Sequence, residues 1–469
     1  MRGQTNQEKT VDFTGRKVTI MGLGIAGGGV ADALFFLRAG ATVTVTDKKT
    51  EEELARSVEQ LAGNPVVFHL GGHQEQDFID ADLVVRNPGV PDNSPYLEMA
   101  RSHRVPVEMG SGIFAEYADM SRLIGVTGTK GKSTTTALIH RVLQTKYPNA
   151  YHGGDVDGSP TLFVENANRG DWGVMELSSW RLEGMAPHKK SPHIAVITSI
   201  AQDHLNRYES YEAYKASKKL IFAFQGKDDI AILNYDSDYL RGASAEVPSR
   251  LMWFSATSRP TVPPGEVGCF IEEGSIHYGD ETFPYDSLKA KTMHHPGNIA
   301  ATLSVAMVLG IPFASAREAI EGFEGLFGRL QKVTQLEGVP FYNDTAATNP
   351  YATKQSISTV GAEGLALIVG GEDKDLDFSE LAASLKNVPF VFLLPGTASD
   401  KLLASATSMG VTHIQTVATL QEAVAGAWAA SPKAVLFSPG AASFNMFKNE
   451  FDRGEQFIRE VERLEHDER

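Results

Sequence analysis

Residues 125–136 read GVTGTKGKSTTT, and the fold is decided by this stretch. The apolar run Leu123–Val126 has the pattern of a buried strand. Gly128 and Gly131 then bracket a tight loop. Lys132 and Ser133 follow, and Ala137, Leu138, Val142 and Leu143 give the next segment an apolar helical face. Strand, glycine loop, Lys-Ser and helix make a grip for a nucleotide triphosphate. Loop amides and the helix N-terminus face the phosphates, the lysine adds a point charge, and the hydroxyl can ligate Mg²⁺. The spacing departs from the general phosphate-loop pattern: Val126 stands five residues before Gly131, where glycine is usual.

Two further apolar runs open α/β stretches on either side. Val18–Met21 precedes a G-x-G-x-x-G turn at Gly22, Gly24 and Gly27, and the next strand-like run, ATVTVTD, ends on Asp47. That is a dinucleotide-binding pattern, acidic residue included. The turn can hold any nucleotide diphosphate, and Asp47 can accept a bond from a ribose or a base. It can equally serve helix–strand packing alone. Leu365–Val369 precedes Gly370-Gly371 in the last third. Strands alternating with helical patterns predict an α/β chain with parallel sheets.

A length of 469 residues suggests about three domains. The single cysteine, Cys269, excludes an internal disulfide and a cysteine-built metal cage, and fits a reducing compartment. The polar start MRGQTNQEKTVD and the lack of a long apolar run predict a cytoplasmic protein that does not enter a membrane. A net charge of −15 argues against nonspecific nucleic-acid binding, so sites for anionic substrates must be locally basic.

Chemistry-bearing residues cluster after the phosphate loop. Glu176, in GVMELSSWRLE, sits at the end of an apolar run, where a carboxylate can hold Mg²⁺ directly or through water. Asp203-His204 follows a strand expected at 194–200; such a pair can ligate a second metal or position a nucleophile. Lys218 lies on the next helical run, one turn after Tyr214. FYNDTAATN places Asp344 and Thr348 after a strand, VGGEDKD carries Lys374, and SPGAASFNMFKNEFDRG is expected to open a helix at Ser443 and Lys448. Gly-rich turns with a lysine suit an anionic ligand.

In combination these segments resemble the Mur ligase family, most closely its D-glutamate-adding members, over essentially the whole chain after the first dozen residues. The family's phosphate loop, T-G-T/S-x-G-K-S/T, accounts for the unusual spacing. The E-L-S-S-x-x-L-E, D-H-x-x-R-Y and late F-K-N…R-G stretches are specific together. The resemblance implies a flexible extension at 1–12 and three domains. These are a Rossmann-like domain at 13–110 for the UDP-linked substrate, a central mixed-sheet ATP domain at 111–326, and a Rossmann-like amino-acid domain at 327–469. It implies ATP, two Mg²⁺ ions and a carbamylated lysine at Lys218 as cofactors. The implied substrates are UDP-N-acetylmuramoyl-L-alanine and D-glutamate, joined through an acyl phosphate in peptidoglycan precursor synthesis, by an enzyme acting as a monomer.

Carried over by position, Gly128, Thr129, Lys130, Gly131, Lys132, Ser133 and Thr134 would grip ATP, with Asn298 near the adenine and Arg329 and Asp344 reaching it from the third domain. Ser133 with Glu176, and His204 with Lys218, would serve the two metals. Lys132, Glu176, His204 and Lys218 would carry catalysis. Gly22, Gly24, Ile25, Ala26, Asp47, Lys48, Asn87, Gly89, Asp155 and Ser178 would line the UDP-substrate site. Thr348, Lys374, Ser443 and Phe451 would bind the amino acid.

The chain departs from the family's habits at four places. Ala346 stands where lysine is common, Asp155 where asparagine is common, Gly328 where histidine precedes the arginine, and Glu450 where an aromatic is usual, with Phe451 one later. Three alternatives therefore stay open: another amino acid such as L-glutamate, a non-catalytic ATP-binding member, and an NAD-dependent oxidoreductase resting on Gly22, Gly24, Gly27 and Asp47.

Overall fold

The computed structural model describes residues 11–467, apart from residues 26, 155–157, 204–206, 290–294 and 444–445. Among the described residues the chain builds three sheets in sequence. The first holds β1 (Lys17–Met21), β2 (Thr42–Asp47), β3 (Val66–Leu70), β4 (Leu83–Arg86) and β5 (Val107–Met109), in the order β3-β2-β1-β4-β5 and parallel throughout. The order reverses at β1/β4. The glycine turn after β1 therefore opens at the switch point, where α/β sheets bind ligands.

The central sheet contains β6 (Leu123–Thr127), β7 (Tyr151–Gly153), β8 (Gly173–Glu176), β9 (Ile194–Ile197), β10 (Ile230–Asn234), β11 (Arg250–Ser255), β12 (Val267–Glu272), β13 (Ser275–Tyr278) and β14 (Glu281–Pro284). Its order is β14-β13-β12-β11-β10-β9-β6-β8-β7, with β13 antiparallel to both of its neighbours. Ile124, Val126, Val174, Ile194 and Val196 are wholly buried against Leu138, Ile139 and Leu143 of the helix Lys132–Gln144. Strands covered on both faces read as continuous apolar runs, which is why they stand out in the sequence. Cys269 lies buried in the same core.

The third sheet holds β15 (Gln331–Leu336), β16 (Val339–Asn343), β17 (Leu365–Val369), β18 (Phe390–Leu393), β19 (Ile414–Thr416) and β20 (Ala434–Phe437). Its order is β15-β16-β20-β17-β18-β19, with β15 antiparallel and the rest parallel. Two sequence expectations shift. The strand expected at 194–200 ends at Ile197. The last helix spans Glu450–Asp467, so Ser443 and Lys448 stand in the segment before it rather than opening it. Asn449 explains the late start: its Oδ1 accepts the Phe451 and Asp452 N–H groups at 2.9 Å, the geometry of an N-terminal cap.

The glycines at 110 and 112 open a buried helix, Gly110–Tyr117. A Cβ on Gly110 would stand 2.1 Å from Ser159 Oγ and 2.5 Å from Asp32 Oδ1. Asp32 thus sits in a seam between the first helix, Gly28–Arg38, and the central unit. Thr161 Oγ1 donates to its Oδ1 at 2.8 Å, and Arg181 donates to the Gly154 and Gly158 carbonyls nearby. Burial pushes the Asp32 pKa up to about 6, against the opposing bonds from Ser159 and Thr161 and the charge of Arg181.

A carboxyl raised in the folded state favours folding while protonated. That contribution is present below the unfolded pKa and is lost as pH rises through 6. The shift from 3.8 to about 6 corresponds to roughly 3 kcal/mol at most. Asp32→Asn keeps the shape and removes the ionisation. Its Tm by scanning calorimetry should exceed the parent's at pH 8, with the gap closing towards pH 4; an equal or lower Tm at pH 8 would contradict the burial argument.

Candidate functional site

The phosphate loop is held from below by one hydroxyl. Thr129 Oγ1 donates to the Ala201 carbonyl at 3.0 Å and accepts the Ala201 N–H at 2.9 Å, and the Tyr214 hydroxyl lies 3.1 Å away. The Thr129 N–H donates to the Ser199 carbonyl and the Lys130 N–H to Ser199 Oγ. These two loop amides are therefore committed inside the protein. An anion at this loop would meet the N-terminus of the helix that starts at Lys132. Gly128 (φ +149°) and Gly131 (φ +86°) are required by close approach as well as by conformation. A Cβ on Gly128 would meet Thr198 Oγ1 at 2.1 Å, and one on Gly131 would meet Asn298 Oδ1 at 2.4 Å.

The charged groups lie at adjacent strand ends. Lys132 Nζ stands 3.8 Å from Glu176 Oε1, with Glu176 buried at the end of β8 and Ser133 buried one residue along the loop helix. Lys218, on the helix Tyr211–Lys219, is also buried. Its Nζ donates to Thr127 Oγ1 at 3.3 Å and lies 5.4 Å from the Tyr214 ring centre. Thr127 in turn donates to the Leu177 carbonyl, next to Glu176. The parallel register of β6 with β8 and β9 brings these groups to one edge.

Among the described residues no group of three or more His, Cys, Asp or Glu side chains converges into a ready-made metal cage. One carboxylate and one hydroxyl beside a phosphate-binding loop instead fit a hard ion that shares its shell with phosphate oxygens and water, as Mg²⁺ does. His204, Asp155 and Ala26, expected in the site from the sequence, lie outside the described residues.

Above the loop a cleft of about 860 Å³ opens between the central and third sheets. Lys130, Gly131, Thr134, Asn298, Arg329 and Asp344 line it, so six residues expected to grip ATP are brought to one cavity. Gly128, Thr129, Lys132 and Ser133 are not among its lining residues. Lys130 is half-buried; burial pushes its pKa down to about 8, with Asp203 opposing and Lys132, Arg329 and Lys374 adding. Asp344 accepts from Leu330 N–H at 3.1 Å, Ser356 Oγ at 2.6 Å and Ser438 Oγ at 2.7 Å. Burial raises its pKa, and those bonds and Lys130 oppose the rise.

Gly328 adopts φ +68°, and a Cβ added there would stand 2.6 Å from Thr345 Cγ2, which accounts for glycine where a histidine is usual. The sequence did not single out Asn234, His295, Tyr351 or Gln355, which also line the cleft. Asn234 ends β10, a parallel strand, and Tyr351 and Gln355 are one helical turn apart on Pro350–Val360. Strand-end position was the available signal for Asn234.

A second pocket, about 760 Å³, lies on the first sheet and is lined by Gly22, Asp47, Lys48 and Gly89, with His73, Val90 and Asn93 as additions. Asp47 is turned inward: Oδ2 accepts Gly24 N–H at 3.0 Å and Oδ1 accepts Lys49 N–H at 2.9 Å, so it shapes the turn itself. Asn87 packs against Gly22, Gly24 and Gly28, and Ile25 projects from the turn with 58% exposure. Gly24, Ile25, Asn87 and Ser178 are not among the lining residues of this pocket. In the third unit Lys374 Nζ donates to Thr348 Oγ1 at 3.2 Å. Glu372 and Ala442 pair across the loops after β17 and β20, which brings the Lys374 and Ser443 segments together. Phe451 is exposed and stacks on Phe327, ring centres 6.3 Å apart.

Family models match along the chain: "Mur ligase MurD-like, N-terminal domain" over residues 16–109, "Mur ligase middle domain" over 126–300 and "Mur ligase, glutamate ligase domain" over 328–441. A UDP-N-acetylmuramoylalanine–D-glutamate ligase of Roseiflexus sp. (strain RS-1) is 37% identical over 465 residues, covering 96% of this chain and 99% of the relative. The chain belongs to the Mur ligase family. A Koribacter versatilis relative of the same name is 32% identical, covering 98% of this chain and all of that one. Solved Mur ligases share the fold. A UDP-N-acetylmuramate–alanine ligase from Thermotoga maritima aligns with a TM-score of 0.62 at 19% identity, covering 96% of this chain and 100% of that one. A MurF ligase from the same organism, in complex with ADP, aligns with a TM-score of 0.56 at 17% identity, covering 90% and 96%. In this Mur ligase the loop of the central unit faces the third unit across the cleft.

Gly131→Ala adds a Cβ at 2.4 Å from Asn298 Oδ1 and strains a left-handed residue. Isothermal titration with a non-hydrolysable ATP analogue should show affinity at least about tenfold weaker; unchanged affinity would remove the loop from the nucleotide site.

Proposed function

We propose that this Mur ligase uses ATP to join D-glutamate to UDP-N-acetylmuramoyl-L-alanine in peptidoglycan precursor synthesis. The observation that carries the reading is the single cleft in which Lys130 and Gly131 of the central loop face Arg329 and Asp344 of the third unit. The names of the full-length relatives supply the substrates. We assign residues 13–110 to the UDP end, 111–326 to ATP and 327–469 to the amino acid. On this reading the enzyme acts as a monomer in the cytoplasm, where ATP and UDP-linked sugars are found. No helix among the described residues is long and apolar enough to cross a membrane.

The substrate's L-alanyl carboxylate oxygen attacks the γ-phosphorus, ADP leaves, and an acyl phosphate forms. The D-glutamate amine then attacks the acyl carbon. The tetrahedral adduct expels phosphate, the nitrogen loses its proton, and an amide remains. Phosphorylation supplies the leaving group that a free carboxylate lacks, and the protein contributes positioning and charge neutralisation.

Lys132 and the helix N-terminus beside it offset phosphate charge. Ser133 and Glu176 would hold one Mg²⁺; His204 and carbamylated Lys218 would hold another, since CO₂ on the amine turns a cation into a hard oxygen ligand. When bound, the ions reduce repulsion between the attacking carboxylate and the phosphates. Thr348 and Lys374, with Ser443, would receive the amino acid's carboxylates, and Phe451 would flank it. Asp47, Asn87 and Gly89 would shape the UDP end. Asn298, resting on Gly131, would meet the nucleotide.

Phosphate release should require ATP, Mg²⁺ and UDP-N-acetylmuramoyl-L-alanine together with D-Glu, among D-Glu, L-Glu, D-Asp, L-Lys and no amino acid, with the amide seen by mass spectrometry. Release with a different amino acid would redirect the specificity, and none with any would refute the ligase reading. Lys218→Ala should abolish turnover, with partial recovery in short-chain carboxylic acids but not in bicarbonate. Full activity without additives would end the carbamate assignment.

A further inference from the structure

One buried hydrogen bond ties the central unit to the third. Asn349 Nδ2 donates to Asp203 Oδ2 at 2.7 Å, and both residues are almost fully buried. The Asn349 side chain also works in the other direction. Its Oδ1 accepts the Ala352 N–H at 2.9 Å and caps the helix Pro350–Val360. Its two ends are thus divided between its own helix and the facing unit.

The bond joins two functional segments. On one side Asp203 follows Ala201, whose N–H and carbonyl are both bound to Thr129 of the phosphate loop. Its charge also acts on Lys130 in the cleft. On the other side Asn349 follows Thr348, which accepts from Lys374. A carboxylate taken out of water needs a donor, and an amide N–H needs an acceptor. The Asn349 amide supplies one such donor to Asp203, and this bond forms only when the third unit is seated.

We propose that Asp203 and Asn349 are a positioning pair that seats the Thr348–Lys374 segment against the phosphate loop. The consequence for catalysis rests on the ligase reading; the seating itself does not. The pair predicts a specific reciprocity. Asn349→Asp keeps a capping oxygen but loses the donor and faces Asp203 with like charge. Adding Asp203→Asn reverses the direction of the bond, with the new amide donating to the new carboxylate.

Spin labels on cysteines introduced at the exposed positions Asp238 and Glu363 read the spacing of the two units with an ATP analogue and Mg²⁺ bound, while the native Cys269 is buried. The parent should give a narrow distance distribution, Asn349→Asp a broad one, and Asp203→Asn/Asn349→Asp a narrow one again. In kinetics, Asn349→Asp should raise KM for the amino acid about tenfold, with the affinity for the ATP analogue within twofold of the parent by titration (about 0.4 kcal/mol). The double variant should regain a low KM.

A parent distribution as broad as that of Asn349→Asp, or a double variant that stays broad, overturns the proposal. Should Asn349→Asp lose its melting transition, Asn349→Ser, whose hydroxyl also caps the helix but which lacks the amide NH₂ that reaches Asp203, carries the same comparison with the parent. If the parent shows no ligase turnover, the functional reading fails while the label distances still decide the pair.

Discussion

The Thr129 hydroxyl has one proton and two lone pairs, and all are engaged. The proton goes to the Ala201 carbonyl; the lone pairs face the Ala201 N–H and the Tyr214 hydroxyl. This fixes the phosphate loop on the segment that leads to Asp203, and Tyr214 carries the same constraint to the helix bearing Lys218. The loop, the Lys132–Glu176 pair and the Lys218 amine therefore share one rigid base. Their spacing is set by strand register rather than by flexible side chains, which suits chemistry that depends on positioning.

Charge is organised against the background of the whole chain. The protein carries −15 overall, yet the charges of Lys132, Arg329 and Lys374 all act on Lys130, which lines the cleft. The repulsion between these like charges is offset by the carboxylates among them. Asp203 supports Lys130, Glu176 faces Lys132, and Asp344 is buried under three donors. A polyanionic ligand would complete that balance. An acidic exterior with a basic interior cleft also separates the site from the rest of the surface field.

Much of this was legible in the sequence because the elements that position the site are the most regular. The strand β17 is an uninterrupted apolar run and β1 and β6 are mostly apolar, and Gly128 and Gly131 announce a backbone that no side chain can follow. Less was legible where contacts join distant segments. Nothing local marks Asn349 as the partner of Asp203, or Asp32 as buried against Ser159 and Thr161. Asp47 has the position of a ligand contact in the motif, but its oxygens are turned to backbone amides of the turn. The segment at Ser443 read as a helix start because its composition suits one, while the capping geometry of Asn449 delays the helix. Tyr351 and Gln355 reach the cleft only through the way their helix docks, which periodicity cannot report.

The three donors on Asp344 change how this residue is to be interrogated. Its carboxylate fastens the Leu330 backbone beside Arg329, the Ser356 side chain on the facing helix and Ser438 at the end of β20. Removing it releases three segments of scaffold at once. A dead enzyme after truncation of the side chain at residue 344 is therefore a report on backbone placement, and scanning mutagenesis in this cleft measures architecture wherever a side chain's bonding capacity is already full. Residues with capacity to spare, such as Arg329, are the ones whose loss reads out contact with a ligand.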